Sequence, residues 1–511
     1  MRIVDNRAVL LRLRDPAKVT EIIPKSKELE DNHVLVNWGI EEAQVLKNLN
    51  INIPSPINGR YVFTGDLTPF DHQKSTSAFL TLNRRAFCFN EQGTGKTASA
   101  IWASDYLLKT KQIKRVLVIC PLSIMDSAWL DDINRFTPHR SVSVAHGTPK
   151  AREKALRKTT DYVIINYDGL AIVEDIVSKA GFDCIIVDEA THYKNAQTKR
   201  WKTLHRLVKA DTWLWMMTGT PAAQSPLDAF GLAKLVNPTA VPKAFGAFRD
   251  KIMRKVTNFK WVPRLNATEH VHKILQPAIR FTKEECLDLP PMVYTKRAVE
   301  LTRQQKKYYK LLLKDMTFQA EGEDITAVNA AVHINKLLQI SAGAVYSTDR
   351  VSLEFDISYR YKVLREVIEE SSKKVLVFVP FKNAIDLITR NLRDDGIPTE
   401  VIRGSVSASD RTKIFNSFQT TPDPRVLVIQ PQSAAHGITL TAANTVVWWS
   451  PTSSLEIYAQ ANARVHRAGQ DHKCTVIQLQ GSTVERRYWS LLDTKTDIHT
   501  QMIDLYKELV D

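Results

Sequence analysis

Residues 86–97 read Ala-Phe-Cys-Phe-Asn-Glu-Gln-Gly-Thr-Gly-Lys-Thr. The apolar run 86–89 predicts a buried strand, the glycine-containing stretch a loop, and Thr97 the opening of a helix over 98–108. That order is a P-loop. Gly93 and Gly95, flanking Thr94, let the backbone curl so that successive N–H groups face phosphate oxygens. Lys96 supplies positive charge for the outer phosphates, and the Thr97 hydroxyl is suited to Mg²⁺. The positive end of the following helix points at the same anion. Position 90 departs from the general pattern, which asks for glycine where this chain has Asn90. A chance loop containing Gly-x-Gly-Lys-Thr is the alternative, and the strand before it and helix after it argue against that.

Outward from this loop, strands alternate with helices from Leu67 onward. Apolar strand candidates are 87–89, 116–120, 162–165, 184–187 and 213–217. Continuous rather than alternating apolar runs predict a parallel sheet covered on both faces. Ligands in such sheets sit at the carboxyl ends of the strands. Asp188 and Glu189 follow Val187 there, and Thr218-Gly-Thr-Pro221 follows Met217. One carboxylate, Asp188, suits Mg²⁺ held through water, and the second, Glu189, suits an attacking water aimed at a γ-phosphate. By itself an Asp-Glu pair after a strand is a solvated loop start; in the same sheet as a P-loop it is a site. Thr218 and Thr220 add hydroxyls able to couple a phosphate site to another surface.

Residues 1–65 look like a separate module, with β-like runs at 9–13, 33–38 and 60–63 around a helical segment at 41–49. No chemistry is legible there, and both a nucleic-acid accessory and a structural cap fit. Residues 230–285 are helix-rich and basic, with Lys251, Arg254, Lys255, Lys260 and Arg264. Leu289-Pro290-Pro291 breaks the chain, since consecutive prolines cannot continue a helix. Helical periodicity resumes over 300–340. A second series begins near Lys362, with strand candidates 375–379, 399–402, 426–429, 445–449 and 475–479 and no P-loop of its own. It carries Gln460-Ala-Asn-Ala-Arg464-Val-His-Arg467-Ala-Gly-Gln470. On a helix, Arg464 and Arg467 share one face. Guanidinium groups suit phosphate oxygens and stabilise transition-state charge, so these arginines are expected to complete the first lobe's site when a cleft closes.

The predicted fold class is α/β, with two tandem RecA-like parallel-sheet lobes, helical insertions and a small N-terminal module. The expected domains are 1–65, an accessory module; 66–288, an ATP-binding lobe with a helical insertion at 230–285; 289–360, a linker and helical insertion; and 361–511, a second lobe with C-terminal helices. At 511 residues the chain is too long for one core. Its net charge of +15 suits a polyanionic partner, of which nucleic acid is the commonest, with solubility alone as the alternative. The five cysteines are scattered without a Cys-x-x-Cys pair, which disfavours a zinc site or disulfide framework and fits a reducing compartment. No apolar run approaches 18 residues, so no membrane span is expected, and the N-terminus does not resemble a signal peptide.

Together these motifs resemble the superfamily 2 helicases, and within them the SWI/SNF-like DNA translocases, over roughly 67–495. Residues 90–97 resemble motif I. Leu67-Thr-Pro-Phe70 with Gln73 is similar to the adenine-reading element, with two extra residues between aromatic and glutamine. Val116 to Ser123 with Trp129 resembles motif Ia, which in the family contacts the DNA backbone. Asp188 to Asn195 resembles motif II, with Thr191 where histidine is usual and His192 one place later. Thr218 to Pro226 is similar to motif III in a form near the annealing-helicase branch. Gly404 and Arg411 sit as in motif IVa, Ser433 to Leu440 with Gly437 resembles motif V, and Gln460 to Gln470 resembles motif VI. Short insertions, with no appended nuclease motif or zinc finger, resemble compact bacterial or viral-type members.

The resemblance implies a DNA-stimulated ATPase that translocates on duplex or branched DNA through the phosphate backbone, with ATP and Mg²⁺ as cofactors. Lys96, Asp188, Glu189, Arg464 and Arg467 are the expected catalytic residues. Gln73, Gly93, Thr94, Gly95, Lys96, Thr97 and Gly437 are expected to bind nucleotide, and Thr97 and Asp188 to hold Mg²⁺. A cytoplasmic setting in a bacterial or virus-infected cell and a monomer are expected. A strand-separating DNA or RNA helicase shares every ATPase residue, and a non-catalytic DNA-binding scaffold on the same fold is a second alternative.

Overall fold

The structure is a computed structural model that describes residues 1–494 apart from 66, 220, 222–224, 257–260, 287–288, 323–326, 347–351 and 435–437. It divides into a unit of Met1–Cys286 and a unit of Leu287–Asp511.

The first unit is built on a seven-stranded sheet. Its order is Ala278–Ile279, Arg85–Cys88, Trp213–Met217, Cys184–Val187, Val116–Cys120, Tyr162–Asn166 and Val142–Ala145. Every pairing is parallel. The period-2 geometry of a strand sends alternate residues to opposite faces. Phe87, Leu117, Ile119, Ile185, Val187, Leu214 and Met216 pack into one apolar cluster. Ala86, Cys88, Val116, Val118, Ile186, Trp215 and Met217 pack into another, together with the helix Lys96–Lys109. Both faces are covered, which is why the runs read as unbroken apolar stretches.

The N-terminal segment forms an antiparallel four-stranded sheet ordered Arg2–Val4, Ala8–Arg12, His33–Asn37 and Lys27–Leu29. It has its own small core around Val9, Leu11, Val34, Val36 and Trp38. The strand expected at 60–63 is absent. Residues Ile57–Arg60 are a helical turn preceded by Pro56, whose fixed φ suits a helix start. Tyr61 and Phe63 then serve packing: their rings lie 5.7 Å from Tyr106 and 5.4 Å from Trp102 on the helix after the P-loop. The Tyr61 hydroxyl donates to buried Asp105 at 2.6 Å, joining this segment to the same helix.

The second unit holds a six-stranded sheet, also parallel throughout, ordered Met292–Ala298, Cys474–Gln480, Ala443–Trp448, Lys374–Phe378, Val426–Ile429 and Thr399–Ile402. Residues 292–298, expected within a linker, form its outer strand. None of them is fully buried and exposed positions recur along their length, as an edge position allows, so no apolar run marks them.

A buried ion pair locks this unit. Arg360 donates to Glu485 Oε2 at 2.6 Å, and both side chains are at most 2 % exposed. The same oxygen accepts the Gly481 and Ser482 backbone N–H groups at 2.7 and 3.1 Å, capping the helix Thr483–Asp493. Removing one partner of such a pair strands a buried charge. Glu485→Gln is therefore expected to destabilise this unit by about 3–5 kcal/mol in urea unfolding. Arg360→Met combined with Glu485→Gln is expected to recover part of that loss, because no lone charge remains.

Candidate active site

The strand Arg85–Cys88 is continued past its end by the segment after Ile279. Phe89 N–H donates to Ile279 O at 2.8 Å and Glu91 N–H to Phe281 O at 2.9 Å. Asn90 stands between them, fully buried. Its Nδ2 donates to Thr76 Oγ1 at 2.8 Å, and its Oδ1 accepts Phe281 N–H at 3.1 Å. A glycine there would have no side chain to tie these two segments to the loop.

The loop then curls through Gly93 at φ +87° and Gly95 at φ +78°. This left-handed region is where glycine is favoured. A Cβ on Gly95 would also lie 2.0 Å from Gln73 Nε2. Lys96–Lys109 follows as a helix whose N-cap, Gly95, offers no side-chain cap. Its first N–H groups and dipole therefore face the loop, an arrangement suited to anions. Lys96 Nζ lies on the loop's own opening carbonyls, 2.8 Å from Asn90 O and 3.2 Å from Glu91 O. Thr97 sits in the first helical turn. Burial pushes the neighbouring Cys88 thiol up to about 11, against the pull of the Lys96 charge, so it stays a neutral packing group.

Gln73 lies on the helix Asp71–Leu82. Its Oε1 accepts Phe70 N–H at 3.0 Å and its Nε2 donates to Thr94 O at 3.3 Å. His72 Nε2 reaches the same Thr94 carbonyl at 2.8 Å, which requires that nitrogen to carry the proton. Phe70, His72, Arg280, Phe281 and Cys286 line a cavity of about 520 Å³ beside the loop. The sequence flagged Gln73 but gave no sign of His72, Arg280 or Phe281, which carry no motif of their own.

Asp188 and Glu189 leave the strand Cys184–Val187 at the same sheet edge. Asp188 Oδ2 accepts the Trp129 indole N–H at 3.0 Å, and Oδ1 accepts Glu189 N–H at 2.9 Å. Trp129 is fully buried within a π-type turn, Met125–Leu130. Such turns are rare and concentrate at functional sites. The Asp188 carbonyl accepts the Tyr167 hydroxyl at 2.6 Å. Burial, then the charges of Asp188 and Glu189, hold Tyr167 well above the usual phenol range, so its hydroxyl remains a donor. Glu189 itself sits at φ +47°, ψ +56°, a strained conformation for a non-glycine residue. Sequence reading marked Trp129 as part of a motif but missed its bond to Asp188, since the two lie 59 positions apart.

Thr218 follows the strand Trp213–Met217, fully buried, with its N–H on Cys88 O at 3.0 Å. Gly219 lies beside the loop, where an added Cβ would make ordinary van der Waals contact 3.4 Å from Gln92 Cγ. Thr220 lies outside the described residues. The first unit thus gathers Gly93 to Thr97, Asp188, Glu189 and Thr218 at the carboxyl ends of three neighbouring strands.

In the second unit Arg464 and Arg467 are not on a helix, contrary to expectation. The helix Leu455–Asn462 ends before them. Asn462 Oδ1 accepts the Trp448 indole N–H at 2.9 Å, and the buried Gln470 amide donates toward the carbonyls of Thr441, Ala443 and Val465, holding the chain in turns. Both arginines nevertheless converge: Arg467 Nη1 donates to Ile438 O at 3.0 Å, and Arg464 Nη1 lies 3.5 Å from it. Gly437, the adjoining predicted residue, lies outside the described residues. Arg411 Nη2 reaches the carbonyls of Arg403 and Gly404 at 3.1 and 3.3 Å.

Residues 32–343 match the SNF2-related domain and residues 359–469 the helicase conserved C-terminal domain. An uncharacterized ATP-dependent helicase of Mycoplasma genitalium, MG018, is 25% identical over 420 residues, covering 80% of this chain and 39% of that protein. The human DNA annealing helicase and endonuclease ZRANB3 is 26% identical, covering 87% and 41%. Putative protein p41 of an Acyrthosiphon pisum secondary endosymbiont phage is 26% identical, covering 78% and 88%. This chain therefore spans about two fifths of the first two relatives and most of the phage protein. The Sulfolobus solfataricus SWI2/SNF2 ATPase core, solved in complex with dsDNA, is similar over 88% of this chain and 97% of its own, at 23% identity and a TM-score of 0.43. With the first of these domains covering more than half of its length, the chain belongs to the SNF2-related family.

Proposed function

We propose that the chain is a DNA-dependent ATPase that translocates on double-stranded DNA and remodels DNA structures or protein–DNA complexes. The observation that carries this reading is one sheet edge: a glycine loop ending in Lys96, a buried Asp188 held by Trp129, and Glu189 on strained backbone beside it. The relatives named as ATP-dependent or annealing helicases support it.

ATP is the substrate. In this reading the loop from Gly93 to Thr97 binds its phosphates, Gln73 meets adenine, and Lys96 neutralises charge on the outer phosphates. Glu189 orients the attacking water, and Arg464 and Arg467 stabilise the charge that develops on the γ-phosphate. Gly437 belongs to the same proposed binding set. The donor set fits Mg²⁺: one hydroxyl, Thr97, and one carboxylate, Asp188, are hard oxygen ligands of the number that ion takes when phosphates and water supply the rest. Bound there, it would neutralise phosphate charge. Among the described residues no cluster of three or more metal-ligating side chains competes for it.

The domain scheme expected from the sequence goes with this reading once the strand Met292–Ala298 is moved from the linker to the second lobe, as do a monomer and a cytoplasmic setting. No described helix is long and apolar enough to cross a membrane. DNA binding through the phosphate backbone would be strongly salt-dependent.

The test of the function is ATP hydrolysis measured with duplex DNA, forks, four-way junctions, single strands and RNA. Duplex or branched DNA is expected to stimulate most, and greater stimulation by RNA would overturn the reading. Lys96→Ala and Glu189→Gln are each expected to lower kcat by about 10²–10⁴-fold. Wild-type turnover in either variant would remove the site assignment. Trp129→Phe keeps most of the ring's packing but deletes its N–H. It is expected to raise the Mg²⁺ concentration needed for half-maximal nucleotide binding and hydrolysis about 10–100-fold, beside a stability loss of about 1–3 kcal/mol from the lost bond to a buried carboxylate.

A further inference from the structure

The net charge of this chain is unevenly placed. Residues 243–273 contain eight lysines and arginines against two acidic residues, hence six of the chain's fifteen net positive charges in 31 positions. An even spread would leave about one there.

The segment is a built surface. Helices Phe245–Ile252 and Ala267–Ile274 flank a hairpin that pairs Met253–Lys255 with Trp261–Pro263 in antiparallel register. Phe248, Ile252, Met253, Ala267 and Ile274 anchor it in the apolar cluster that also holds Val187 and Leu214. The helix following the P-loop packs into the other cluster, on the opposite sheet face. The hairpin is braced from both sides. The Arg249 guanidinium lies 4.1 Å from the Trp261 ring centre, and Arg264 Nε donates to Met253 O at 3.1 Å.

Outward, Lys243, Lys251, Arg254, Lys255 and Arg264 are exposed. Both acids of the segment are matched within it: Asp250 by Arg249 at 3.1 Å and Glu269 by Lys273 at 2.7 Å. Among the described residues, Lys251, Arg254, Lys255 and Arg264 form no ion pair. Fully exposed Leu265 and largely exposed Val256 stand among them. A face serving solubility alone needs neither a single sign of charge nor bare apolar side chains. Cations mixed with a few apolar groups on a rigid support match a phosphate–sugar backbone.

We propose that this face is a docking surface for the backbone of duplex DNA, separate from the nucleotide site. The inference rests on the DNA-dependent function proposed above and adds to it where the first unit grips the duplex. Contacts come from Lys251, Arg254, Lys255 and Arg264 to phosphate oxygens and are independent of base sequence.

The test compares two full-length variants of equal charge change across a salt series, with duplex DNA as the probe. In one, Arg254, Lys255 and Arg264 become glutamine. In the other, the exposed lysines Lys150, Lys154 and Lys158 do. Each lost phosphate contact lowers the slope of log affinity against log salt by about 0.9. The first variant is expected to lose about 2–3 of slope and at least about tenfold in affinity near 0.1 M salt. The second should lose less than about 0.5 of slope, the residue of a general charge effect. Thermal stabilisation by an ATP analogue reports that both variants remain folded. Equal losses in the two variants, or a wild-type slope in the first, would overturn this proposal while leaving the ATPase reading intact. A wild-type protein that binds no duplex at any salt concentration would overturn both.

Discussion

Parallel register is the constraint from which the site follows. Val187 is level with Ile119 on one side and one pair from Met217 on the other, while Met217 is level with Cys88. The ladder continues one step beyond the strands, with Asp188 N–H on Ile119 O and Thr218 N–H on Cys88 O. Asp188 and Thr218, of the proposed site, are therefore placed by backbone hydrogen bonds to neighbouring strands. With both sheet faces apolar, a one-residue slip would exchange the two cores, moving residues such as Trp215 and Leu214 into each other's clusters. The cost of that exchange fixes the register, and the register fixes where Asp188 and Thr218 emerge.

The same burial explains what the sequence made legible. Central strands such as Val116–Cys120 and Val426–Ile429 are buried at every position, so their apolar runs have no competing signal. Edge strands gave a weaker signal, legible at Thr399–Ile402 but not elsewhere. Val142–Ala145 alternates half-buried and buried residues over only four positions, and Met292–Ala298 includes Lys296 and Arg297, which suit an edge and read as linker. The arginine pair was placed together correctly but on the wrong element. Helical spacing is a statement about chain already known to be helical, and the turn after Asn462 is set by Gln470, whose three carbonyl contacts come from distant sequence as well as local.

Polar residues near the loop show a different limit. Asn90 looked like a missing glycine, yet its amide joins Thr76 to Phe281 across the base of the loop. A motif pattern records that small size is usual there; it does not record that an amide of the right reach can serve the architecture. Gln73 lies between the two cases. An amide carries two donors and two acceptor lone pairs. One of each is engaged, at Thr94 O and Phe70 N–H, so these two bonds leave a donor and an acceptor position over. The contacts that fix Gln73 thus orient it without exhausting it.

A similar exchange bears on the arginines of the second unit. Arg467 and, more distantly, Arg464 point a guanidinium nitrogen at one backbone carbonyl, Ile438 O. A hydrogen bond between a charged donor and a neutral carbonyl contributes about 1.5–3 kcal/mol, and a guanidinium facing an anionic phosphate gains the added Coulomb attraction of opposite charges. A carbonyl that gathers two cations at one point also concentrates repulsion between them, which a phosphate bearing several negative charges relieves. The contacts to Ile438 O thus aim both guanidinium groups at one point. Because Leu440 N–H is bonded to Arg464 O at 2.9 Å, the segment that holds the arginines at rest is tied directly to the segment that carries them.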